Sequence, residues 1–245
     1  MGKQIEFVDL SVRLKERTLY EKLNFTLSDG DRFVLLGPNG IGKSLLLDLV
    51  CLGHSRELAG RYEGLVVEGS IVDSAGNNLL NPLVRRKISY VPQNESFFNN
   101  MTVKQICESS CNGVEVDLDE NRLDYLLNAF GIAEKKNQRV KNNVSFGEAK
   151  IISLISRFLK LSATNILIMD EPLNHLSFKN SKVFNDLILE ELSRNPTLVI
   201  VMVSHCRAMS FTNQALVYSV SDRNLKTMPY QPYDCFSRDE YADCF

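Results

Sequence analysis

Two patterns of apolar residues alternate along the chain. Residues 3–35 place apolar and polar side chains in alternation, with a Ser-Asp-Gly-Asp turn at 28–31, and so predict short antiparallel strands. RFVLLG (32–37), NILIMD (165–170) and TLVIVMVSH (197–205) are instead almost continuously apolar, which is typical of strands buried on both faces. The remaining predictions are strands that fill 60–80, a strand at 88–93, and helices from 45, over 147–160 and over about 178–194. Strands that alternate with helices indicate a parallel sheet covered on both faces.

The stretch from about 94 to 142 differs from its surroundings. It is polar, rich in Asn and helically periodic, in segments such as MTVKQICESS and DENRLDYLLNAFGI. We interpret it as a helical lobe inserted into the α/β fold. The predicted organisation is one domain, 1–245, in which 1–93 and 160–245 form a core with a β subdomain and 94–159 forms the helical lobe.

Composition narrows the class of protein without identifying it. The 245 residues suffice for one large α/β domain, and 44% hydrophobic and 24% charged residues are ordinary for a soluble protein. A net charge of -2 gives no general electrostatic reason to expect nucleic acid as a partner. MGKQIEFVDL alternates and lacks the apolar core of a signal peptide, and the longest apolar runs are too short to span a bilayer. Any membrane span is therefore expected from another chain.

The segment GPNGIGKS, from Gly37 to Ser44, matches the phosphate-binding pattern G-x-x-x-x-G-K-[ST]. Glycines let successive backbone N–H groups point inward around an anion, and the following helix directs its positive end to the same place. Lys43 adds a cation for the β- and γ-phosphates, and the Ser44 hydroxyl is a ligand for Mg²⁺. The alternative, a Gly-rich strand-to-helix turn, is disfavoured because chance gives such a match in roughly one chain per hundred. The predicted nucleotide-binding residues are Gly37, Pro38, Asn39, Gly40, Ile41, Gly42, Lys43, Ser44 and Leu45.

An acidic pair, Asp170 and Glu171, ends the apolar strand NILIMD. A carboxylate at this position can hold Mg²⁺ opposite the phosphate-binding loop. The second carboxylate points elsewhere and could take the proton from an attacking water. Taken alone, the pair could equally begin a solvated turn.

In order along the chain, GPNGIGKS, YVPQ, VSFGE, MDEP and VSH resemble the motif series of the ABC (ATP-binding-cassette) ATPase family. The resemblance covers nearly the whole chain. It implies an α/β fold with a P-loop NTPase (RecA-like) core built on a parallel sheet, an N-terminal antiparallel β subdomain and an inserted helical subdomain.

The resemblance also implies roles that spacing alone could not supply. Gln93 would contact Mg²⁺ and the attacking water, Glu171 would be the catalytic base, and His205 would lie beside the γ-phosphate. VSFGE resembles the family signature LSGGQ, so that Ser145 and Gly147, with Phe146 and Glu148, would meet the ATP bound to a partner subunit. Taken singly, each motif has an ordinary alternative: a surface Gln, a structural His at a strand end, and a Ser that caps a helix.

Several positions depart from the family pattern at the nucleotide itself. Phe146 replaces the first signature glycine, which a side chain tolerates only where positive φ is not required. Leu45 replaces a hydroxyl that usually contacts the α-phosphate, a loss of about 1 kcal/mol. Leu14 stands where an aromatic ring usually stacks on adenine, and Tyr20 is a weak candidate to replace that ring.

Two further differences follow the MDEP motif. Ser177 stands where the family usually has an aspartate that crosses the dimer interface. The preceding residues, Asn174, His175 and Leu176, resemble the same stretch of the ABC-F translation factors. His175 is a candidate contact to a partner subunit, although an exposed turn histidine is the simpler interpretation. Because Lys43, Asp170, Glu171 and His205 are all retained, we expect a slow ATPase.

The resemblance implies an ATP-hydrolysing subunit of an ABC transporter, with ATP and Mg²⁺ as cofactors. Its expected partners are a second ABC ATPase subunit, identical or different, and membrane-spanning permease subunits, and no nucleic acid is expected. The expected location is cytoplasmic, peripheral on the cytoplasmic face of a membrane. The alternative is a soluble ABC ATPase outside transport, similar to the iron–sulfur-assembly ATPase or to ABC-F factors. ABC-F factors carry two cassettes per chain, whereas this chain has one.

Overall fold

A computed structural model describes residues 2–84, 87–93, 100–141, 143–204, 210–212 and 214–230. The strands are β1 (Lys3–Leu14), β2 (Arg17–Ser28), β3 (Arg32–Leu36), β4 (Leu65–Asp73), β5 (Ser89–Val91), β6 (Ile166–Asp170), β7 (Val199–Val203), β8 (Gln214–Ser219) and β9 (Asn224–Pro229). The helices are α1 (Lys43–Leu52), α2 (Arg56–Arg61), α3 (Val103–Asn112), α4 (Glu120–Ala129), α5 (Phe146–Phe158), α6 (Leu161–Thr164) and α7 (Phe178–Arg194).

The strands form two sheets of different kinds. The larger has the order β5-β6-β7-β3-β8-β9, in which all neighbours are parallel except the antiparallel pair β8 and β9. The smaller is antiparallel, with the order β2-β1-β4. The parallel sheet and the antiparallel β subdomain predicted from the sequence are both confirmed. Because β3, β5, β6 and β7 are parallel, the loops after all of them emerge at one edge of the sheet.

The central strands of the larger sheet are buried on both faces, as their continuously apolar sequences predict. Every residue of β6 and β7 is buried. Ile166 and Ile168 pack with α1 and the antiparallel sheet, whereas the intervening Leu167 and Met169 pack with α5 and α7. This alternation places one hydrophobic core on each side of the sheet.

The prediction of strands throughout 60–80 is wrong at its beginning. Residues 56–61 form the short helix α2, and the strand begins only at Leu65. Ser55 caps α2 by accepting a hydrogen bond from the Leu58 amide at 3.2 Å. Only Leu58 of this helix is buried, so six residues give too little apolar periodicity to reveal it.

The polar segment after 100 forms helices, as predicted. Helix α3 packs against α5, and Arg122 of α4 forms ion pairs with Glu190 and Glu191 of α7. The beginning of the predicted lobe, 94–99, lies outside the described residues, and the lobe boundaries stay predictions. Within the described ranges, no helix combines the length and the apolar composition needed to cross a bilayer.

Candidate nucleotide-binding site

The segment from Gly37 to Ser44 connects β3 to α1. Gly42, with φ of 97°, occupies the N-cap position of α1 in a left-handed conformation that favours glycine. Within the described part of the chain, no side chain caps α1. The first N–H groups of the helix are therefore directed at the loop, where they can bind an anion.

Lys43 folds back over this loop. Its ammonium donates hydrogen bonds to the Gly37 and Pro38 carbonyl oxygens at 2.8 and 3.0 Å. Burial lowers the pKa of Lys43, while the charges of Glu171 and Asp170 act in the opposite direction. The loop therefore holds a partly desolvated cation at its mouth, facing two carboxylates.

Asp170 ends β6 directly opposite α1. It is only 2% exposed, and burial raises the pKa of its carboxyl group although the Ser44 side chain hydrogen-bonds to it. Among the described residues, its Oδ1 atom has no hydrogen-bond partner. A buried carboxylate oxygen without a partner, next to a hydroxyl group, is the type of oxygen pair that Mg²⁺ prefers. Ser44 and Asp170 therefore fit the divalent cation that the sequence predicts.

Glu171 follows Asp170 in an unusual backbone conformation. Its φ of 47° lies in the left-handed region that non-glycine residues seldom adopt. The conformation is held by a 2.9 Å hydrogen bond from the Glu171 amide to the Val203 carbonyl at the end of β7. Backbone strain of this kind, about 1–3 kcal/mol, is concentrated at functional sites.

A cavity of ≈ 480 Å³ brings these groups together. Its wall contains most of the predicted loop residues, namely Asn39, Gly40, Gly42, Lys43, Ser44 and Leu45. Asp170, Glu171 and Gln93 complete the polar side. Gly37 and Pro38 contribute their carbonyl groups to Lys43, whereas Ile41 is buried in the core beneath the loop. Three segments far apart in the sequence thus meet at the sheet edge.

Among the described residues that line this cavity, none belongs to the signature segment 145–148. Ser145 caps α5, as its alternative interpretation predicts: its hydroxyl accepts a hydrogen bond from the Glu148 amide at 3.2 Å. The Glu148 carboxylate accepts a hydrogen bond from the Ser145 amide at 2.6 Å, which lowers the pKa of Glu148. The two residues form a capping box that fixes the start of the helix.

Phe146 is the first residue of α5, so it does not adopt positive φ, and its side chain is 84% exposed. Position 146 does not require positive φ, so a side chain is tolerated there. Gly147 cannot be replaced in the same way, because a Cβ atom there would lie 2.7 Å from the His175 carbonyl oxygen. The His175 ring lies beside Phe146, with a centroid separation of 6.0 Å.

Two other departures from the family pattern have structural explanations. Ser177 caps α7, accepting a hydrogen bond from the Asn180 amide at 3.3 Å. Tyr20 cannot replace the missing adenine-stacking ring, because it is fully buried with its ring edge against Tyr218. Leu14, in contrast, lines the cavity. The predicted His205 lies outside the described residues.

The structure adds residues that the sequence does not single out. Tyr62 lines the cavity and donates a hydrogen bond to Asp48 at 2.8 Å. Asp48, on α1, is buried and also accepts hydrogen bonds from Arg61 and from Tyr90, the latter at 2.7 Å. The spacing of Ser44 and Asp48, one helical turn, is the only sequence signal for this network.

Arg17 also lines the cavity. Its guanidinium donates to the Gly40 carbonyl oxygen at 3.1 Å, which ties the β1–β2 turn to the loop. Leu14, three residues earlier in the sequence, lines the cavity as well, so the lining includes both an apolar and a cationic side chain from this part of the chain.

Comparison with known proteins agrees with this geometry. The model of the family described as "ABC transporter" matches residues 20–174. An ergothioneine transport ATP-binding protein of Helicobacter pylori is 26% identical over 84% of this chain and 91% of its own length. A probable metal transport system ATP-binding protein of Thermotoga maritima is 27% identical over 85% of this chain and 78% of its own. A solved ATP-binding subunit of an ABC transporter has the same fold, with a TM-score of 0.72 at 17% identity, covering 92% of this chain and 90% of that one.

The family match covers more than half of the chain and includes the phosphate-binding loop, the signature segment and the acidic pair. The chain therefore belongs to the ABC transporter family, as an ATP-binding subunit with ATPase activity.

Proposed function

We propose that this subunit binds ATP with Mg²⁺ in the ≈ 480 Å³ cavity, hydrolyses it there and couples hydrolysis to transport through a membrane-spanning partner. The observation that carries the proposal is the meeting of the phosphate-binding loop with Asp170, Glu171 and Gln93 in one cavity. Gly-rich turns between a strand and a helix are common. A nucleotide-hydrolysing site needs, in addition, a ligand for the cation and a base in the same cavity as the loop.

The loop binds the triphosphate. Amide groups at the start of α1 donate to the phosphate oxygens, and the Lys43 ammonium exchanges its carbonyl contacts for the β- and γ-phosphates. Ser44, Asp170 and Gln93 are the residues that would hold Mg²⁺, which supplies neutralisation of phosphate charge when bound. The exposed Gln93 side chain stands at the cavity rim, where it can also orient water.

Glu171 acts as the general base. Glu171 lines the cavity from the residue after β6, whereas Asp170 ends the strand itself, and we assign cation binding to Asp170 and proton acceptance from water to Glu171. His205, beyond the end of β7, keeps its proposed place beside the γ-phosphate.

A second copy, or a related subunit, completes the site. The support is that Ser145 and Gly147 lie outside the chain's own cavity, at the start of α5, with an exposed aromatic side chain between them. The N-terminus of α5 can direct its N–H groups and dipole at the γ-phosphate of a nucleotide on the facing subunit. Two such contacts would enclose two ATP molecules in a symmetric dimer.

The transport assignment and the location at the cytoplasmic face of a membrane rest on relatives. Two of these are named for transport, one of ergothioneine and one of metal. The membrane-spanning segments would come from permease subunits.

The experiment is co-purification of tagged Glu171→Gln protein from detergent-solubilised membranes in the presence of MgATP. We expect the variant to be recovered as a dimer together with a polytopic membrane protein, and the wild-type pair, reconstituted in vesicles, to hydrolyse ATP faster than the free subunit. Recovery of the chain only from the soluble fraction, with partners that lack membrane spans, would instead support a soluble ABC ATPase.

Leu14→Tyr should strengthen nucleotide binding. Leu14 is half-buried at the cavity wall, and an aromatic ring there can stack on the base. Stacking at this partly exposed position contributes about 1 kcal/mol, or roughly a fivefold lower Kd for ATP. Isothermal titration of ATP checks this, with Leu14→Val as the control and inorganic tripolyphosphate as the ligand without a base. An equal gain in affinity for tripolyphosphate would show that the adenine base does not stack at position 14.

A further inference from the structure

The segment that carries Gln93 is held by two cationic side chains of α5. This helix begins in the signature segment 145–148 and is called the signature helix below. β5 is an edge strand, paired on one side with β6. Lys150 of α5 donates hydrogen bonds to the Pro92 carbonyl oxygen at 2.7 Å and to that of Gln93 at 3.4 Å. Arg157, about two turns further along α5, donates to the Tyr90 carbonyl oxygen at 2.5 Å. The helix that begins at Ser145 therefore supports the chain up to Gln93.

Lys150 is buried to a degree that lysines seldom reach. It is 2% exposed, and an ammonium group in such a place must have its charge compensated and its donors used. The backbone carbonyls of Pro92 and Gln93 supply acceptors, and the Lys150 charge interacts with that of Asp170. Lys150 thus lies between the signature helix, the Gln93 segment and the proposed cation site.

The same segment is held from the other side by the helix of the phosphate-binding loop. The Tyr90 hydroxyl donates to Asp48 of α1 at 2.7 Å, and Asp48 also holds Tyr62 in the cavity wall. The carbonyl of Tyr90 and those of Pro92 and Gln93 face α5. The segment 90–93 therefore connects α1 and α5, and a shift of α5 reaches Gln93 first through Lys150.

We propose that Lys150 is a positioning residue that sets the place of Gln93 at the cavity and transmits movement of the signature helix to it. The inference rests on the proposed function, in which Gln93 acts on the cation and the attacking water. The Gln93 side chain is exposed, so its position depends on its backbone, and the two Lys150 hydrogen bonds fix that backbone to α5. The proposal assigns the effect of Lys150 on turnover to these hydrogen bonds with the Gln93 backbone, and not to its charge interaction with Asp170.

A double-mutant cycle tests this. Lys150→Met keeps the length and burial of the side chain but removes its charge and donors, and we expect turnover to fall roughly tenfold with nucleotide affinity changed less than about twofold. Lys150→Arg, which retains donors, should restore most of the turnover. In a Gln93→Ala background, Lys150→Met should have no further effect, because the residue acts through Gln93. Effects that multiply across the two backgrounds, or no rescue by Arg, would overturn the inference.

Lys160→Met is the matched control. Lys160 is half-buried just after α5, and no hydrogen bond joins its side chain to 90–93 among the described residues, so we expect wild-type turnover. Hydrogen exchange of the peptide spanning 88–93 supplies a readout that does not depend on hydrolysis: it should quicken in Lys150→Met and remain unchanged in Lys160→Met. An inactive wild-type protein would refute the proposed hydrolysis, and exchange would then decide the inference, since unchanged protection in Lys150→Met contradicts it.

Discussion

Glu171→Gln should lower ATP turnover about 10²–10⁴-fold and leave nucleotide binding intact. Glutamine has the size of glutamate and can keep the turn at φ of 47°, which the hydrogen bond from the residue 171 amide to Val203 holds independently of the side chain. It cannot accept a proton from water. Phosphate release under saturating MgATP measures the loss, and titration with a fluorescent ATP analogue measures the affinity.

Two controls separate the base from a general effect of lost charge. Glu68→Gln removes a carboxylate from an exposed position on β4 and should hydrolyse ATP at the wild-type rate. Glu171→Asp keeps the carboxylate but withdraws it from the cavity, and intermediate turnover is expected. Equal rates for wild-type protein and Glu171→Gln would remove Glu171 from the role of base.

The parts of the site that could be predicted from the sequence are those formed by consecutive residues. The phosphate-binding loop needs only its own glycines, Lys43 and the helix that follows, so eight neighbouring positions contain the whole signal. Asp170 and Glu171 required one further step. Because parallel strands end at the same edge, an acidic pair at the end of an apolar strand is expected near the loop after β3, and the cavity confirms this.

Residues whose role depends on distant contacts could not be predicted in this way. Lys150 lies 58 positions from the Pro92 carbonyl that it contacts. Its neighbours in the sequence indicate only an ordinary lysine of an amphipathic helix. Tyr62 lies 14 positions from Asp48, separated from it by a helix that the sequence did not reveal. Burial of these polar groups depends on how the two sheets and the lobe pack.

The signature segment contains, within a few residues, one feature that depends on local sequence and one that depends on a distant contact. The cap at Ser145 is local, and the sequence offers it as the ordinary alternative for this segment; the structure extends it to a capping box with Glu148. The close approach of the His175 carbonyl to Gly147 is not local, because it depends on the turn after β6 meeting the start of α5. The sequence gives only the condition under which position 146 accepts Phe, and the structure shows both that this condition is met and why position 147 remains Gly.

Lys43→Ala should abolish tight nucleotide binding. The ammonium is the only protein cation that the loop itself provides, and each hydrogen bond from a charged donor to phosphate contributes about 1.5–3 kcal/mol. Losing its contacts with two phosphates should weaken ATP binding by roughly 100-fold or more. Isothermal titration of MgATP measures this loss directly.

The same substitution has a second consequence that must be measured separately. The ammonium also links Gly37 and Pro38, so its removal leaves two loop carbonyls without this donor. Lys43→Arg retains a charge but not the compact ammonium, so it should preserve thermal stability better than affinity. If Tm without nucleotide is unchanged in Lys43→Ala while ATP affinity collapses, the lysine acts on the phosphates. Micromolar affinity retained by Lys43→Ala would show that the triphosphate binds somewhere other than this loop.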